Sequence, residues 1–179
     1  LYIMNLDYSG IISKNLSQHT RDIINNQSSE TLTFYIERNT GWNYLDRYII
    51  NNSKYEKIIN QITNYNIGHS NEDIAFIRSI FTKLDPLIDL DFAEMMSNNG
   101  SLIDIYKVSY SSEMQSTIQD RKVVGSAITQ NSEAGNWYDI FWKKSDTENI
   151  TSAFDKNTIV HEIGHVLGLS HPFESPDNP

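Results

Sequence analysis

The chain contains no cysteine, which excludes disulfide bonds and thiolate metal sites. No apolar run approaches the ~18 residues that a membrane-spanning helix requires, so the sequence predicts no transmembrane segment. Basic residues are also scarce: 14 Lys and Arg stand against 23 Asp and Glu, for a net charge of −9. Such a balance disfavours binding to a nucleic-acid backbone, which needs clustered positive charge.

The length and composition are those of one globular domain. The chain has 179 residues, of which 39% are hydrophobic and 21% charged, and it shows no internal repeat or linker. The first 30 residues are polar and without a clear period, and they could form a leader, a pro-region remnant or an N-terminal helix. A basic segment followed by an apolar one is missing after Leu1, so no signal peptide is expected within this chain.

The first half of the remaining chain predicts a strand and two helical regions. The β-branched and aromatic residues of 31–37 indicate a strand. Apolar residues spaced by three and four between 44 and 64 predict a helix, interrupted near Asn51. Ser70 and Asp73 form a capping box for a second helix, which Pro86 ends.

The second half predicts several strands and a final helix. The strand-like segments are 88–92, 101–110, 122–130 and 137–142. Strands and helices in this order favour an α+β fold, a mixed α/β layer with one twisted sheet.

The last predicted helix carries two histidines and a glutamate in a pattern that suits zinc. His161 and His165 are four residues apart, so both imidazoles project from one helix face and can bind one metal ion. Glu162 follows the first histidine and is placed to act as a general base. Asp155 is a candidate N-cap for this helix.

A third histidine follows a residue that favours the end of a helix. Gly168 tolerates the positive φ with which helices often end, so the chain can turn back toward the metal. Pro172 keeps His171 out of helical geometry. Three protein ligands and one open position are typical of a catalytic rather than a structural zinc site.

Residues His161 to Pro172 match the extended H-E-x-x-H-x-x-G-x-x-H motif, so the chain resembles the metzincin zinc peptidases, most closely the serralysins and less closely the matrixins. The resemblance implies a zincin-like fold with a mostly parallel sheet, an antiparallel edge strand and an active-site helix. It implies that His161, His165 and His171 bind zinc, that Glu162 is the base, and that the protein is a secreted endopeptidase acting on polypeptides. Residues 31–179 would form the upper catalytic subdomain, with residues 1–30 outside it.

The resemblance also implies where a substrate binds. The expected edge strand is Val123 to Thr129, along which a peptide could add as a further strand. An ordinary interior strand is the alternative interpretation of this segment.

Two metzincin features are missing from the sequence. The Met-containing turn lies downstream of the third histidine in this family, whereas Met4, Met95, Met96 and Met114 all precede it here. Serralysin-type calcium-binding repeats are absent as well, and calcium remains possible by resemblance without an identified site. We therefore expect a fragment that is truncated before the Met-turn.

Two other functions are compatible with the sequence. The chain could be a non-catalytic metzincin-like binding module or inactive fragment, although a binding module has no need of Glu162. It could also be a zinc peptidase that acts on cell-wall or small peptides.

Residues outside the motif are assigned structural roles. His19 and His69 are predicted at the surface, and the aromatic run 137–142 is predicted to be a core strand rather than a substrate platform. Glu133, Asn136 and Asp139 are interpreted as polar loop residues rather than calcium ligands.

Overall fold

The computed structural model describes residues 11–114, 123–144 and 152–171, and of Ser152 the backbone alone. Within these residues, three helices and seven strands follow one another along the chain. They are α1 (Lys14–Asn25), β1 (Thr31–Ile36), β2 (Thr40–Asn51), β3 (Lys54–Ile67), α2 (Asn71–Leu84), β4 (Asp91–Met95), β5 (Ile103–Ser111), β6 (Gly125–Ser132), β7 (Gly135–Lys143) and α3 (Ser152–Val166). None of these helices has the length and apolar character needed to cross a membrane.

All seven strands belong to one mixed sheet, which confirms the predicted α+β class. Its centre is parallel, in the order β4-β1-β5-β7, and β6 lies antiparallel beside β7. The N-terminal part of β5 pairs with β1, whereas its C-terminal part pairs antiparallel with β3, which in turn pairs with β2. Antiparallel pairs therefore flank a parallel centre on both sides.

The main hydrophobic core lies between the sheet and the three helices. Alternate residues of β1, β5 and β7 point to this side because side chains in a strand alternate between faces. They meet the buried apolar stripes of the helices: Ile23, Ile74, Ile77, Phe81, Ile159, Ile163 and Val166. Phe34 and Phe81 stack with ring centroids 4.1 Å apart. The capping box of Ser70 and Asp73 starts α2 as predicted.

The opposite face of the sheet is covered by a hairpin where a helix was expected. The helical prediction for 44–64 was wrong, because residues 40–67 form the antiparallel strands β2 and β3. Asn52 and Ser53 turn between them with φ values of +46° and +64°, which suit a tight hairpin turn. Pairing with β5, far along the chain, outweighs the local helical spacing. Ile62, Tyr106, Val108, Ile128 and Phe141 form a second, smaller core under the hairpin.

The N-terminal part of the described chain packs against the end of α3. Thr20 of α1 donates a hydrogen bond from Oγ1 to the Val166 carbonyl at 2.6 Å. Ser13 donates its backbone N–H to the Gly168 carbonyl, and Ser170 donates to the Ile11 carbonyl. Residues 11–25 thus hold the segment that leads to His171. The division of the chain at residue 30 remains a prediction.

His19 and His69 are buried, so their predicted surface positions were wrong. His69 is 8% exposed: its Nδ1 lies 2.6 Å from the Glu37 carbonyl, and its Nε2 accepts a hydrogen bond from the Trp142 indole. His19 is 7% exposed, with its Nε2 3.0 Å from the Trp137 carbonyl. Polar partners within the fold replace the water that these rings lose.

Candidate active site

Helix α3 carries the two histidines of the motif away from the core. Ile159, Ile163 and Val166 lie on its buried side, whereas His161 is exposed and His165 is half-buried. The helix begins at Ser152, so Asp155 lies within its first turn and the N-cap prediction was wrong. A carboxylate in the first turn still interacts favourably with the positive end of the helix dipole.

The chain reverses direction at Gly168, as the sequence predicts. Gly168 has a φ of +91°, and its N–H bonds to the His165 carbonyl at 2.9 Å. Space is also limited, because an added Cβ would lie 3.0 Å from Cα and Cβ of Ser17 on α1. Glycine therefore serves both the turn and the close approach of α1. Pro172 lies outside the described residues.

The three predicted ligands converge after this turn. The Nε2 atom of His161 lies 3.0 Å from those of His165 and His171, and the latter two are 3.1 Å apart. A tetrahedral zinc with bonds of ~2.0–2.1 Å needs ligand atoms roughly 3.3 Å apart, within a few tenths of an ångström of this arrangement. In the described part of the chain, this trio is the one group of three or more potential ligands close enough to share an ion.

The ring of His165 is oriented by the chain that follows the helix. The Nδ1 atom of His165 lies 2.8 Å from the Leu169 carbonyl, which can only accept a hydrogen bond. The Nδ1–H therefore donates to Leu169, and the lone pair on Nε2 is directed at the common centre of the trio. Outer hydrogen bonds of this kind commonly set the tautomer and ring orientation of metal-binding histidines.

Glu162 lies on the sheet side of the helix rather than in the open. It is 4% exposed, and its carboxylate accepts a hydrogen bond from the backbone N–H of Ala127 on β6. Burial raises the pKa of Glu162 to about 7, and the Ala127 hydrogen bond acts in the opposite direction. A cation held by the histidines would also lower this pKa, because it favours the charged carboxylate.

Gly125 provides the space that the Glu162 carboxylate occupies. An added Cβ at position 125 would lie 2.3 Å from Oε1 of Glu162 and 2.8 Å from Cγ2 of Thr158. Both distances are far below van der Waals contact. The strand and the helix can approach this closely only because residue 125 has no side chain.

Strand β6 is the antiparallel edge strand that the resemblance implied, although it begins at Gly125 rather than Val123. In the described chain it pairs with β7 alone. Val124 accepts a hydrogen bond from Lys143 of the β7 side, so the backbone groups of residues 125, 127 and 129 point outward. Two of these groups are occupied: Ala127 N–H by Glu162, and the Thr129 carbonyl by the Arg47 guanidinium of β2.

The remaining candidates lie away from this centre. Asp139 is 3% exposed on β7 and accepts a hydrogen bond from Gln130 at 2.5 Å, whereas Glu133 lies in the exposed turn before β7. Together with Asn136, they were interpreted as polar loop residues. That interpretation was wrong for Asn136 and Asp139, which both belong to β7. The aromatic run 137–142 is part of β7, as predicted, and Tyr138, Phe141 and Trp142 are fully buried.

Sequence reasoning missed Gly125, Ala127 and Leu169, which support the site through backbone groups or through space. Backbone N–H and carbonyl groups exist at every residue and leave no trace in the sequence. Gly125 gave a signal, because a glycine that opens an apolar strand often marks close approach by another element.

Comparison with known families agrees with this geometry. The family model for matrixins matches residues 51–177, which is most of the chain and includes the histidine motif. The chain belongs to the matrixin family. Matrixins are metallopeptidases that typically bind zinc, so family membership supports a metallopeptidase function in general. Comparisons with curated proteins and with solved structures gave no match. The narrower resemblance to serralysins remains a prediction.

Proposed function

We propose that this chain is the catalytic part of a zinc-dependent endopeptidase that cleaves extended polypeptides. One observation carries the proposal: the Nε2 atoms of His161, His165 and His171 converge within 3.1 Å of one another, and Glu162, which follows His161 in the chain, has a buried carboxylate. Such a trio leaves a tetrahedral ion one open position, as hydrolysis requires. By resemblance to serralysins, we also propose that the protein is secreted.

Zinc at this position would supply Lewis acidity, which polarises a peptide carbonyl and makes water acidic enough to attack near neutral pH. The protein must then hold the substrate and move a proton. Glu162 is adjacent to the ligand His161 and fits the second task, accepting a proton from the attacking water and passing it to the leaving amine. Gly125 and Ala127 hold the carboxylate in place.

The outward-pointing backbone groups of β6 are suited to holding the substrate. A peptide that adds as an extra strand would bond to the outward-pointing groups of Gly125 and to the Ala127 carbonyl, next to the residue that contacts Glu162. This recognition uses the main chain and suits unfolded or extended polypeptides. It supports an endopeptidase over a peptidase for small or cell-wall peptides.

The test compares the zinc-loaded protein with its Glu162→Gln variant on an unfolded protein substrate. We expect the variant to retain zinc and to cleave at least ~100-fold more slowly, because it keeps the side-chain shape but loses the base. Glu72→Gln is the matched control, since Glu72 lies on α2 with a side chain that is 78% exposed. Zinc content is measured on all three proteins.

Two results would contradict the proposal. Equal cleavage by the parent and the Glu162→Gln variant would exclude Glu162 as the base. Absence of cleavage in a parent that holds one zinc per chain would favour the alternative, a metzincin-like binding module.

A further inference from the structure

A cavity of about 680 Å³ lies beyond the far end of the edge strand β6. Three segments form its walls: the tip of the β2–β3 hairpin, the loop before β5, and the turn between β6 and β7. The volume is within the range of ~300–1,000 Å³ that is usual for binding sites. None of the three predicted zinc ligands lines it.

The cavity lies in line with the proposed cleft. Ser132, the last residue of β6, is part of its wall, and Ala127, which contacts Glu162, is on the same strand. Five strand residues span roughly 17 Å. In a substrate strand that runs antiparallel to β6, the peptide bond to be cleaved would lie near Ala127. The residues on the N-terminal side of that bond would then extend toward the cavity.

Arg47 would prevent a substrate from pairing with β6 along its whole length. Its guanidinium already occupies the outward carbonyl of Thr129, and Tyr48 donates its backbone N–H to Oε1 of Gln130. A peptide therefore cannot continue its main-chain pairing past Thr129. From there, it would follow the hairpin into the cavity, and side-chain contacts would replace the strand ladder.

The cavity wall combines aromatic surface with uncompensated negative charge. Tyr48 and Trp137 meet edge to face with ring centroids 5.2 Å apart, and both line the cavity. Its charged residues are Glu56, Glu133 and Lys57, of which Lys57 is paired with Asp46 at 2.6 Å. Within the described chain, neither Glu56 nor Glu133 forms an ion pair.

We propose that this cavity binds an arginine side chain of the substrate, located roughly three to six residues upstream of the cleaved bond. A guanidinium stacks on aromatic rings and pairs with carboxylates, and the cavity wall offers both. The inference rests on the proposed peptidase function, because the position of the arginine is counted from the catalytic centre.

The experiment uses short unstructured peptides that share one cleavable sequence and carry either arginine or alanine at the upstream positions. We expect the parent to cleave the arginine peptide with a kcat/KM about tenfold higher. In the double variant Glu56→Gln/Glu133→Gln, the preference should disappear while the rate on the alanine peptide is unchanged. Glu72→Gln, on α2, should keep the parent's preference.

A binding measurement separates this inference from the peptidase proposal. Both peptides are titrated against the zinc-loaded Glu162→Gln protein, with and without the two glutamine substitutions. Tighter binding of the arginine peptide that depends on Glu56 and Glu133 supports the cavity, even if no variant cleaves. Equal binding of both peptides, or a preference that survives the double substitution, would overturn it.

Discussion

Gly125 of β6 and Glu162 of α3 lie so close that a Cβ at position 125 would be 2.3 Å from the glutamate Oε1. The helix carries the proposed base, but the strand determines where its carboxylate can lie. The backbone N–H of Ala127, two residues further along β6, donates a hydrogen bond to that carboxylate. The site is therefore assembled from two elements that are far apart in sequence.

The first prediction concerns Gly125→Ala. The new methyl group would displace the Glu162 carboxylate, and small displacements of a catalytic group cost up to ~100-fold in rate. We expect kcat/KM to fall on the order of 10- to 100-fold while zinc content stays at one per chain. Activity and metal content are measured on the same preparation.

Two variants test whether the effect comes from Glu162. Ser126→Ala, which changes the opposite side of the same strand, should leave kcat/KM within about twofold. Thr158→Ser removes Cγ2, the second atom that a Cβ at position 125 would meet. If adding Thr158→Ser to Gly125→Ala restores activity, the obstruction lies with Thr158 and not with the base.

The second prediction concerns the turn that orients His165. A Gly168→Ala substitution must adopt a φ of +91° and would place its Cβ 3.0 Å from Ser17. Either effect shifts the Leu169 carbonyl that accepts the His165 Nδ1–H. Loss of such an outer hydrogen bond typically weakens metal binding by ~10–100-fold, and we expect that range here. Competition with a chromophoric chelator measures the zinc affinity.

Gly164→Ala, four residues earlier and within α3, is the matched control. Its added Cβ would meet Leu169 Cδ1 at 3.5 Å, an ordinary contact. Alanine is favoured over glycine in a helix interior by about 1 kcal/mol. Zinc affinity should therefore be retained in this variant, and a similar loss in both variants would refute the proposed role of the turn.

The third prediction concerns acid stability through His69. Burial lowers the pKa of His69 from its ordinary value of 6.5 to about 4. The folded protein thus binds fewer protons at this ring than the unfolded chain does between pH 6.5 and 4. The contribution of His69 to stability is full above pH 6.5, falls as the pH decreases, and levels off below 4. The loss is on the order of 3 kcal/mol.

Chemical unfolding across this pH range tests the prediction on the parent and on His69→Gln. Glutamine keeps a donor and an acceptor but does not titrate, so the difference between the two proteins should shrink toward acid pH. Asp104 and Asp139, whose pKa values are raised mainly by burial, change the free energy of unfolding with pH in the opposite direction. Their contributions cancel when the two proteins are compared, because both proteins contain them. A constant difference from pH 7 to pH 4 would show that His69 does not titrate in this window.

The convergence of the three histidines could be predicted from the sequence because each part of it depends on neighbours in the chain. His161 and His165 share a helix face by helical period alone, and Gly168 permits the turn that brings His171 back toward them. The capping box of α2 follows from two residues three apart. The hairpin of 40–67 was missed because its apolar spacing also suits a helix, and pairing with β5 decides between the two.

By itself, then, the sequence identified three histidines that could hold a metal and predicted which carboxylate accompanies them. Only the tertiary structure decided that Glu162 lies buried against Gly125 and Ala127. It also decided that Arg47 donates a hydrogen bond to the Thr129 carbonyl at the edge of β6, and that His69 is buried. Each of these contacts joins residues at least 30 positions apart in the sequence. Such contacts depend on how strands and helices pack, and no local periodicity encodes that packing.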